Sequence, residues 1–255
     1  MNELAVRTVT GILLAAAAIS GVLFAPVWLF KVVIAVLAGV ATWEVFRLLS
    51  FRFEGLKPVE AGISGFLFST LTLFASPYLS LLLIFLYGFY TGHRVYRIDT
   101  LTASVFGLVY PVFFVSSIGI LHSIDRNLVL VLFATVWAGD TLAYFTGKLL
   151  GRHKLAPRLS PKKTWEGAAG SVAGSLIAGG LTAYFLEIPE AIIPVAIASV
   201  VMQIGDLFES FIKRQVGQKD SSHIIPGHGG ILDRIDALIF ASLVFVVFFQ
   251  IFSST

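Results

Sequence analysis

The sequence contains no cysteine among its 255 residues, which excludes disulfides and thiolate metal sites. Charge is also scarce, because only 13% of the residues are Asp, Glu, Lys or Arg, where a soluble domain has about 25%. Long uncharged stretches recur from end to end instead, and hydrophobic residues make up 57% of the chain. These features predict an all-α, polytopic helical integral membrane protein.

The apolar stretches predict nine transmembrane spans. They are 5–24, 27–46, 61–75, 78–92, 101–121, 128–147, 167–186, 190–208 and 236–253. The third and fourth are divided near Pro77, because proline would break or kink a single long helix there. We expect one continuous membrane domain, in which residues 1–130 form a packing scaffold and residues 131–255 carry the catalytic loops.

The distribution of basic residues predicts the orientation of these spans. With the N-terminus in the cytoplasm, Lys31 and Arg126 are the only basic residues on the outer side, as the positive-inside rule requires. Merging the third and fourth spans would destroy this asymmetry. We therefore expect a multi-pass protein of the plasma (inner) membrane, with its active site facing the cytoplasm.

Small residues recur at four-residue spacing where the predicted seventh span begins. One face carries Gly170, Gly174 and Ala178, and another carries Gly167, Ser171, Ser175 and Gly179. Such faces let helices approach closely. We expect helix packing here, within the chain or between subunits, with a ligand groove as the alternative.

Carboxylates concentrate at the predicted inner ends of the last two spans. Asp206 and Glu209 end the eighth span at i and i+3, and therefore share a helix face. Asp233 and Asp236 repeat this spacing where the ninth begins. Asp140 lies within the apolar sixth span, where an ionisable group is costly and is a functional candidate. Oxygen ligands of this kind suit Mg²⁺, and we predict a metal site. Ion pairing with nearby bases is the alternative: Lys213, Arg214 and Arg234.

The segment GKLLGRHKLAPRLSPKKTWEG, between the sixth and seventh spans, is rich in Lys and Arg and is interrupted by Gly, Pro and Ser. Both bases bind phosphate, although a cytoplasmic loop that merely follows the positive-inside rule would also be basic. Beside a carboxylate cluster, these bases predict a pocket for a phosphate-rich ligand at the inner membrane face.

A second polar segment carries glycines around a histidine. Gly227, Gly229 and Gly230 flank His228, and such a loop lets backbone N–H groups approach a phosphate. His228 is a candidate hydrogen-bond donor to phosphate or a proton relay, with loop packing as the alternative, and His223 is a weaker candidate. We assign no role to the histidines that lack ligand spacing: His93, His122 and His153.

The stretch SFIKRQVGQKDSSHIIPGHGGILDRID, from Ser210 to Asp236, resembles the signature of the phosphatidate cytidylyltransferases, also called CDP-diacylglycerol synthases. The stretches GDLFES, SPKKTWEG and GDTLAYFTGK resemble the same family. The matching signature positions are Ser210, Lys213, Arg214, Lys219, Asp220, Pro226, His228, Gly229, Gly230, Asp233, Arg234 and Asp236. The resemblance covers about the C-terminal half of the chain, and residues 1–130 agree only as hydrophobic spans.

The resemblance implies that CTP and phosphatidic acid react at the membrane interface to give CDP-diacylglycerol and pyrophosphate. It implies dependence on Mg²⁺, admits a second, monovalent cation such as K⁺, and suggests a homodimer in the lipid bilayer with no nucleic-acid partner. The metal ligands that it implies are Asp206 and Asp233, and the surrounding acidic cluster comprises Asp140, Glu209, Asp220 and Asp236, of which Glu209 and Asp236 are further candidate ligands. The catalytic residues are Asp140, Lys213, Arg214, Lys219, Asp220, His228 and Arg234. The substrate-binding residues are Ser160, Lys162, Lys163, Thr164, Gly229 and Gly230.

Two other functions remain open. A CDP-alcohol phosphotransferase or a polyprenyl-phosphate transferase would also act on lipid headgroups, but the D-x-x-D-G-x-x-A-R pattern of the CDP-alcohol enzymes is absent. An ion-coupled transporter would place Asp140 and the other carboxylates on an ion pathway, although the sequence has no paired repeat of the kind common in transporters. Without the resemblance, the residues indicate a metal-dependent membrane enzyme that acts on phosphorylated substrates.

Overall fold

The computed structural model describes residues 3–225 and 227–252, with side chains from Thr8 onward, so that Pro226 of the signature lies outside the described residues. Nine α-helices occur within these ranges. They are α1 (Glu3–Phe24), α2 (Val27–Leu49), α3 (Pro58–Phe74), α4 (Pro77–Val95), α5 (Ile98–Ile124), α6 (Arg126–Leu150), α7 (Trp165–Phe185), α8 (Ile192–Gln215) and α9 (Leu232–Phe252). Six of them, α2 and α5 to α9, are long and apolar enough to cross a membrane. The prediction of an all-α, polytopic membrane protein is confirmed.

Each predicted span overlaps one α-helix. The eighth begins in a short 3-10 helix (Pro189–Ala191) just before α8, and residue 253 of the ninth lies outside the described residues. The predicted break near Pro77 is confirmed, because α3 ends at Phe74 and Pro77 is the first residue of α4. Ser76 caps α4, since its Oγ accepts a hydrogen bond from the backbone N of Leu79 at 3.4 Å. The helices extend beyond the predicted spans where polar caps lie outside the apolar run, as at Asp125, whose Oδ1 accepts from Asn127 N at 2.8 Å. How many helices cross the membrane, and in which orientation, stays a prediction.

Two short strands form where the sequence predicts an irregular basic loop. β1 (Lys154–Ala156) and β2 (Ser160–Thr164) pair antiparallel between α6 and α7. The backbone N of Trp165 also donates to the carbonyl of His153 at 3.0 Å, which closes the base of this hairpin. The hairpin carries most of the basic residues of the segment.

The chain divides into two compact units. Unit 1 comprises Met1–Ile120 and Gln215–Arg234, and unit 2 comprises Leu121–Arg214 and Ile235–Thr255. The division into a scaffold up to residue 130 and catalytic loops beyond it concerns roles, and it stays a prediction.

Unit 1 packs its helices through small and hydroxyl side chains. A Cβ added to Gly39 of α2 would lie 3.0 Å from the carbonyl of Gly62 in α3, so the two backbones nearly touch. Ser69 Oγ of α3 lies 2.7 Å from Ser116 Oγ of α5. Thr91 of α4 donates to another hydroxyl of α5. Such hydrogen bonds and close approaches stabilise helix pairs where lipid provides no hydrophobic drive.

In unit 2 the small face of the seventh span packs against α6. A Cβ on Gly174 would lie 2.7 Å from the carbonyl oxygen of Ala138, and one on Gly170 would overlap Thr146. The prediction that these small residues serve helix packing is therefore confirmed within the chain. Their use between subunits stays a prediction.

Candidate active site

A cavity of about 530 Å³ lies in unit 2, where α6, α7, α8 and the hairpin meet. Its polar lining residues are Asp140, Tyr144, Lys148, Lys154, Lys162, Lys163, Thr164, Ser171, Gln203 and Asp206. Four lysines and two aspartates are thus gathered around one space on a chain with few charges. The lysines favour an anionic ligand, and the aspartates favour a ligand that arrives with a cation.

The hairpin places the cations of this cavity. Lys163 of β2 forms an ion pair with Asp206 of α8. Thr164, which follows it, is buried and accepts a hydrogen bond from the backbone N of Gly167 at 3.1 Å, so that it caps α7. The register of β2 against α7 is therefore fixed beside the cavity, while Lys162 remains exposed.

The wall of the cavity farther along α7 and α8 is also polar. Gln203 donates from Nε2 to the carbonyl of Ser199 at 2.9 Å and to that of Ala168 at 3.3 Å. Ser171 is 1% exposed, and its hydroxyl has no hydrogen-bond partner among the residues that the structure describes. Buried hydroxyls are normally hydrogen-bonded, so this one is available to a bound molecule.

The carboxylates at the ends of α8 and α9 in unit 2 interact with one another. Glu209 is fully buried and pairs with Lys213 at 3.1 Å. The charges of Asp206 and Lys213 act on Asp236, and its side chain also interacts with that of Glu209. The alternative of simple ion pairing accounts for Glu209 with Lys213 and for Asp206 with Lys163. It leaves Asp236 without a lysine of its own in this set.

These residues suit a divalent metal by the chemistry of their ligand atoms, but not by their arrangement. Their oxygen ligands are the class that Mg²⁺ prefers. Over residues 3–225 and 227–252, however, no group of three or more His, Asp or Glu is arranged to hold a metal ion. Asp233, the fourth predicted ligand, belongs to unit 1, so the sharing of one ion by Asp206 and Asp233 stays a prediction, as do Mg²⁺ and K⁺.

A second cavity, of about 610 Å³, lies in unit 1 along the signature loop, residues 216–231. It is lined by Lys219, Asp220, His223, Ile225, Gly227, His228, Gly229 and Arg234. The loop turns tightly there, since His228 N donates to the carbonyl of Ile225 at 3.0 Å and Ile225 N donates to that of Gly229 at 2.8 Å. Two cations and two histidines around one carboxylate again favour an anion.

Asp233 closes the signature loop. Its Oδ2 accepts hydrogen bonds from Ser221 N at 2.9 Å, Ser221 Oγ at 2.9 Å and Gly230 N at 2.8 Å. Gly229, at φ +81°, passes so near that a Cβ there would lie 2.8 Å from the same oxygen. Asp233 therefore has a structural role in the loop, and its proposed metal binding would have to coexist with these hydrogen bonds.

The residues that the sequence singled out are distributed over three groups. The unit 2 cavity holds Asp140, Lys162, Lys163, Thr164 and Asp206. The unit 1 cavity holds Lys219, Asp220, His228, Gly229 and Arg234. The remaining candidates lie outside the linings given for these two cavities: Ser160, Glu209, Lys213, Arg214, Gly230, Asp233 and Asp236.

Sequence reasoning missed two sets of contacts. Glu44 and Arg47 of α2 bind the signature loop, and the signal was a lone carboxylate inside the predicted second span, a position that is costly without a role. His153, which was assigned no role, contacts Glu166 at 2.6 Å beside the hairpin. Spacing to other histidines, on which the absence of a predicted role rests, cannot reveal an interaction between a histidine and a carboxylate.

Comparison with known proteins places the chain in a family. The profile of the cytidylyltransferase family matches residues 5–252. A phosphatidate cytidylyltransferase of Brucella abortus is 44% identical over 153 residues, 58% of this chain and 57% of that relative, so the match spans little more than half the relative's length. One of Aquifex aeolicus is 38% identical over 189 residues, 71% of this chain and 70% of the relative. One of Haemophilus influenzae is 42% identical over 133 residues, 49% and 46% of the two chains. The family profile follows the chain from the first helix to the last, and the protein therefore belongs to the cytidylyltransferase family.

Proposed function

We propose that the protein transfers the cytidylyl group of CTP to phosphatidic acid, giving CDP-diacylglycerol and pyrophosphate. Membership of the family and the names of the relatives support this activity. The observation that carries it is the unit 2 cavity, in which four lysines and two aspartates surround one space between helices long and apolar enough to cross a membrane. A site of that charge suits a reaction between two phosphates, one dissolved in water and one anchored in lipid.

The chemistry follows from the substrates. A phosphate oxygen of phosphatidic acid attacks the α-phosphorus of CTP, so that a new P–O–P linkage forms while the bond from the α-phosphorus to the bridging oxygen breaks. Pyrophosphate leaves with that electron pair. A phosphomonoester has a second pKa of about 6 and is largely ionised at neutral pH, so the attack needs no strong general base.

The main barrier is the repulsion between two polyanions. Lysine ammonium groups reduce it by contacting phosphate oxygens, and the cavity offers Lys148, Lys154, Lys162 and Lys163 for this purpose. The signature loop adds Lys219 and Arg234 in the unit 1 cavity. We assign the binding of the substrate phosphates to the four lysines, and stabilisation of the charge that develops in the transition state to Lys219 and Arg234.

Mg²⁺ is the cofactor that we propose for the carboxylates Asp206, Glu209, Asp233 and Asp236. When bound, it would neutralise phosphate charge and stabilise the leaving pyrophosphate. A metal held by Asp206 would compete with the ion pair that this carboxylate forms with Lys163, and such competition would free the lysine for a phosphate. A second, monovalent ion such as K⁺ belongs to the same proposal.

The location and assembly of the enzyme are also proposals. The asymmetry of Lys and Arg supports a cytoplasmic active site in the inner membrane. The family resemblance supports a homodimer. CTP would enter from the cytosol and phosphatidic acid from the bilayer.

A direct assay tests the function. Purified protein in detergent micelles is incubated with Mg²⁺, CTP and phosphatidic acid, and both CDP-diacylglycerol and pyrophosphate are quantified, with Asp233→Asn as the low-activity control. Equal formation of both products supports the proposal. Consumption of added CDP-diacylglycerol by an alcohol would indicate a headgroup transferase, and flux into proteoliposomes without conversion would indicate a transporter; either result, without cytidylyl transfer, overturns it.

A further inference from the structure

Glu44 is a carboxylate whose presence helix packing in a membrane does not explain. It lies in α2 and is 0% exposed, where an ionised group is costly unless it is well hydrogen-bonded. Its Oε1 accepts from Ser222 Oγ at 2.5 Å and from Ile231 N at 2.9 Å. Its Oε2 accepts from Leu232 N at 2.7 Å. All three donors belong to the signature loop or to the first residue of α9.

These bonds make Glu44 a cap for another helix. Leu232 begins α9, and the first N–H groups of a helix have no partner within the helix. A carboxylate at this end satisfies them and meets the positive end of the helix dipole. Glu44 therefore fixes where α9 starts, and with it the positions of Asp233 and Arg234.

Arg47 holds the opposite end of the same loop. It lies one helical turn after Glu44, on the same face of α2, and its Nη1 donates to the carbonyl of Ser221 at 2.8 Å. Asp233 joins Ser221 to Gly230. The two ends of the segment that lines the unit 1 cavity are thus clamped together, and both are tied to α2.

Gly230 shows how tightly this clamp is packed. It is buried, and a Cβ on it would overlap both Glu44 Oε1 and Ser221 Oγ. Its backbone N–H already donates to Asp233. In the described structure Gly230 permits a close approach to Glu44. A contact of this glycine with substrate stays a prediction.

We infer that Glu44 and Arg47 are positioning residues, which act through the signature loop by holding Lys219, His228 and Arg234 in their working arrangement. Glu44 accepts three hydrogen bonds and is closed to solvent, so it acts neither as a metal ligand nor on the substrate. The inference uses the proposed function only for its kinetic measurement. It moves part of the catalytic apparatus into the half of the chain that the sequence assigned to packing.

The test compares Glu44→Gln with a matched control, Glu60→Gln, at an exposed residue of the same unit that pairs with Lys57. In Glu44→Gln an amide NH₂ replaces an oxygen that faces N–H donors, so one capping bond becomes a repulsion. We expect kcat to fall about tenfold to a hundredfold, with the KM for CTP changed less than about threefold, because misplacement of catalytic groups lowers the rate of the chemical step. Amide hydrogen exchange over residues 219–233 should accelerate, and Glu60→Gln should match the parent protein in all three measurements.

A milder variant keeps the test valid if Glu44→Gln folds poorly. Ser222→Ala removes one of the three bonds and leaves the carboxylate in place. We expect a smaller fall in kcat in the same direction, and the double variant should be no worse than Glu44→Gln alone, since the two residues act as one unit. Faster exchange with unchanged kcat, or a raised KM at constant kcat, overturns the positioning role. If the parent protein lacks cytidylyltransferase activity, the proposed function fails while hydrogen exchange still reports on the clamp.

Discussion

Lys163 forms an ion pair with Asp206 in the wall of the unit 2 cavity. The pair joins a hairpin cation, proposed to bind phosphate, to an α8 carboxylate, proposed to bind metal. Each residue therefore satisfies the other in the absence of substrates. A metal held by Asp206 and a phosphate held by Lys163 would each compete with this ion pair.

Replacement of Lys163 should separate its competition for Asp206 from its contact with a substrate phosphate. In Lys163→Met, Asp206 no longer has a competing cation, and because such a partly exposed pair contributes about 0.2–1 kcal/mol, half-saturating Mg²⁺ should fall by up to about fivefold. The KM for CTP should rise about tenfold or more, since a hydrogen bond to a charged group is worth about 1.5–3 kcal/mol. Steady-state kinetics at varied Mg²⁺ measure both, with Lys57→Met as the control. A raised Mg²⁺ requirement would contradict the competition for Asp206.

Removal of the metal should abolish activity. Chelation by EDTA is expected to stop product formation, and added Mg²⁺ is expected to restore it, because two polyanionic substrates repel each other without a neutralising ion. Asp206→Asn should need more Mg²⁺ for half-maximal rate, whereas Glu190→Gln, at an exposed turn before α8, should not. Activity that persists in EDTA would remove the metal from the proposed function.

Asp233 combines a charge with a structural bond, and the two are separable. Asp233→Asn keeps a carbonyl oxygen that can accept from Ser221 and Gly230, but loses the charge. We expect turnover to fall about a hundredfold or more, the scale on which removal of one electrostatic contact to a transition state acts. The unfolding temperature and the loop's hydrogen exchange should change little.

Ser221→Ala provides the reverse comparison. It removes the hydroxyl bond to Asp233 and leaves the charge, so stability should fall by about 0.5–1.5 kcal/mol while turnover stays within a few-fold of the parent. If Asp233→Asn instead loosens the loop and retains turnover, the carboxylate is only a structural clamp.

The small residues of α7 permit a stability test within one helix. Gly174→Ala would place a methyl group 2.7 Å from the carbonyl oxygen of Ala138, which is backbone and cannot turn aside. We expect a loss of about 1–3 kcal/mol, typical of overpacking, measured as a lower unfolding temperature in detergent. Gly180→Ala meets nothing within 4 Å and should be neutral or stabilising by up to about 1 kcal/mol. A similar loss at both positions would indicate that α7 does not pack on α6 as described.

The helices were predictable because each apolar run is long and Pro77 marks a break that side-chain chemistry enforces. The cavity residues were largely predictable as well, since Asp140 is a charge inside an apolar span, Asp206 lies near the end of another, and Lys163 belongs to a segment rich in Lys and Arg. Glu44 was not connected to the loop, because its three hydrogen bonds join segments far apart in the sequence. The hairpin was missed because its strands are only three and five residues long, too short for a period-two pattern to emerge.

Glu166 should control how firmly the hairpin holds its lysines. Its Oε1 contacts His153 Nδ1 at 2.6 Å, and its Oε2 accepts from Arg152 N at 3.1 Å, so the first turn of α7 is tied to the residues just before β1. Glu166→Ala would release the base of the hairpin. Because the ion pair of Glu166 with His153 is partly exposed, its contribution to stability is modest. We expect the KM for CTP to rise about threefold to tenfold with kcat nearly unchanged, and hydrogen exchange to accelerate over residues 152–165. Glu190→Gln serves again as the control, and a fall in kcat at constant KM would show that Glu166 acts on the chemical step rather than on the placement of Lys162 and Lys163.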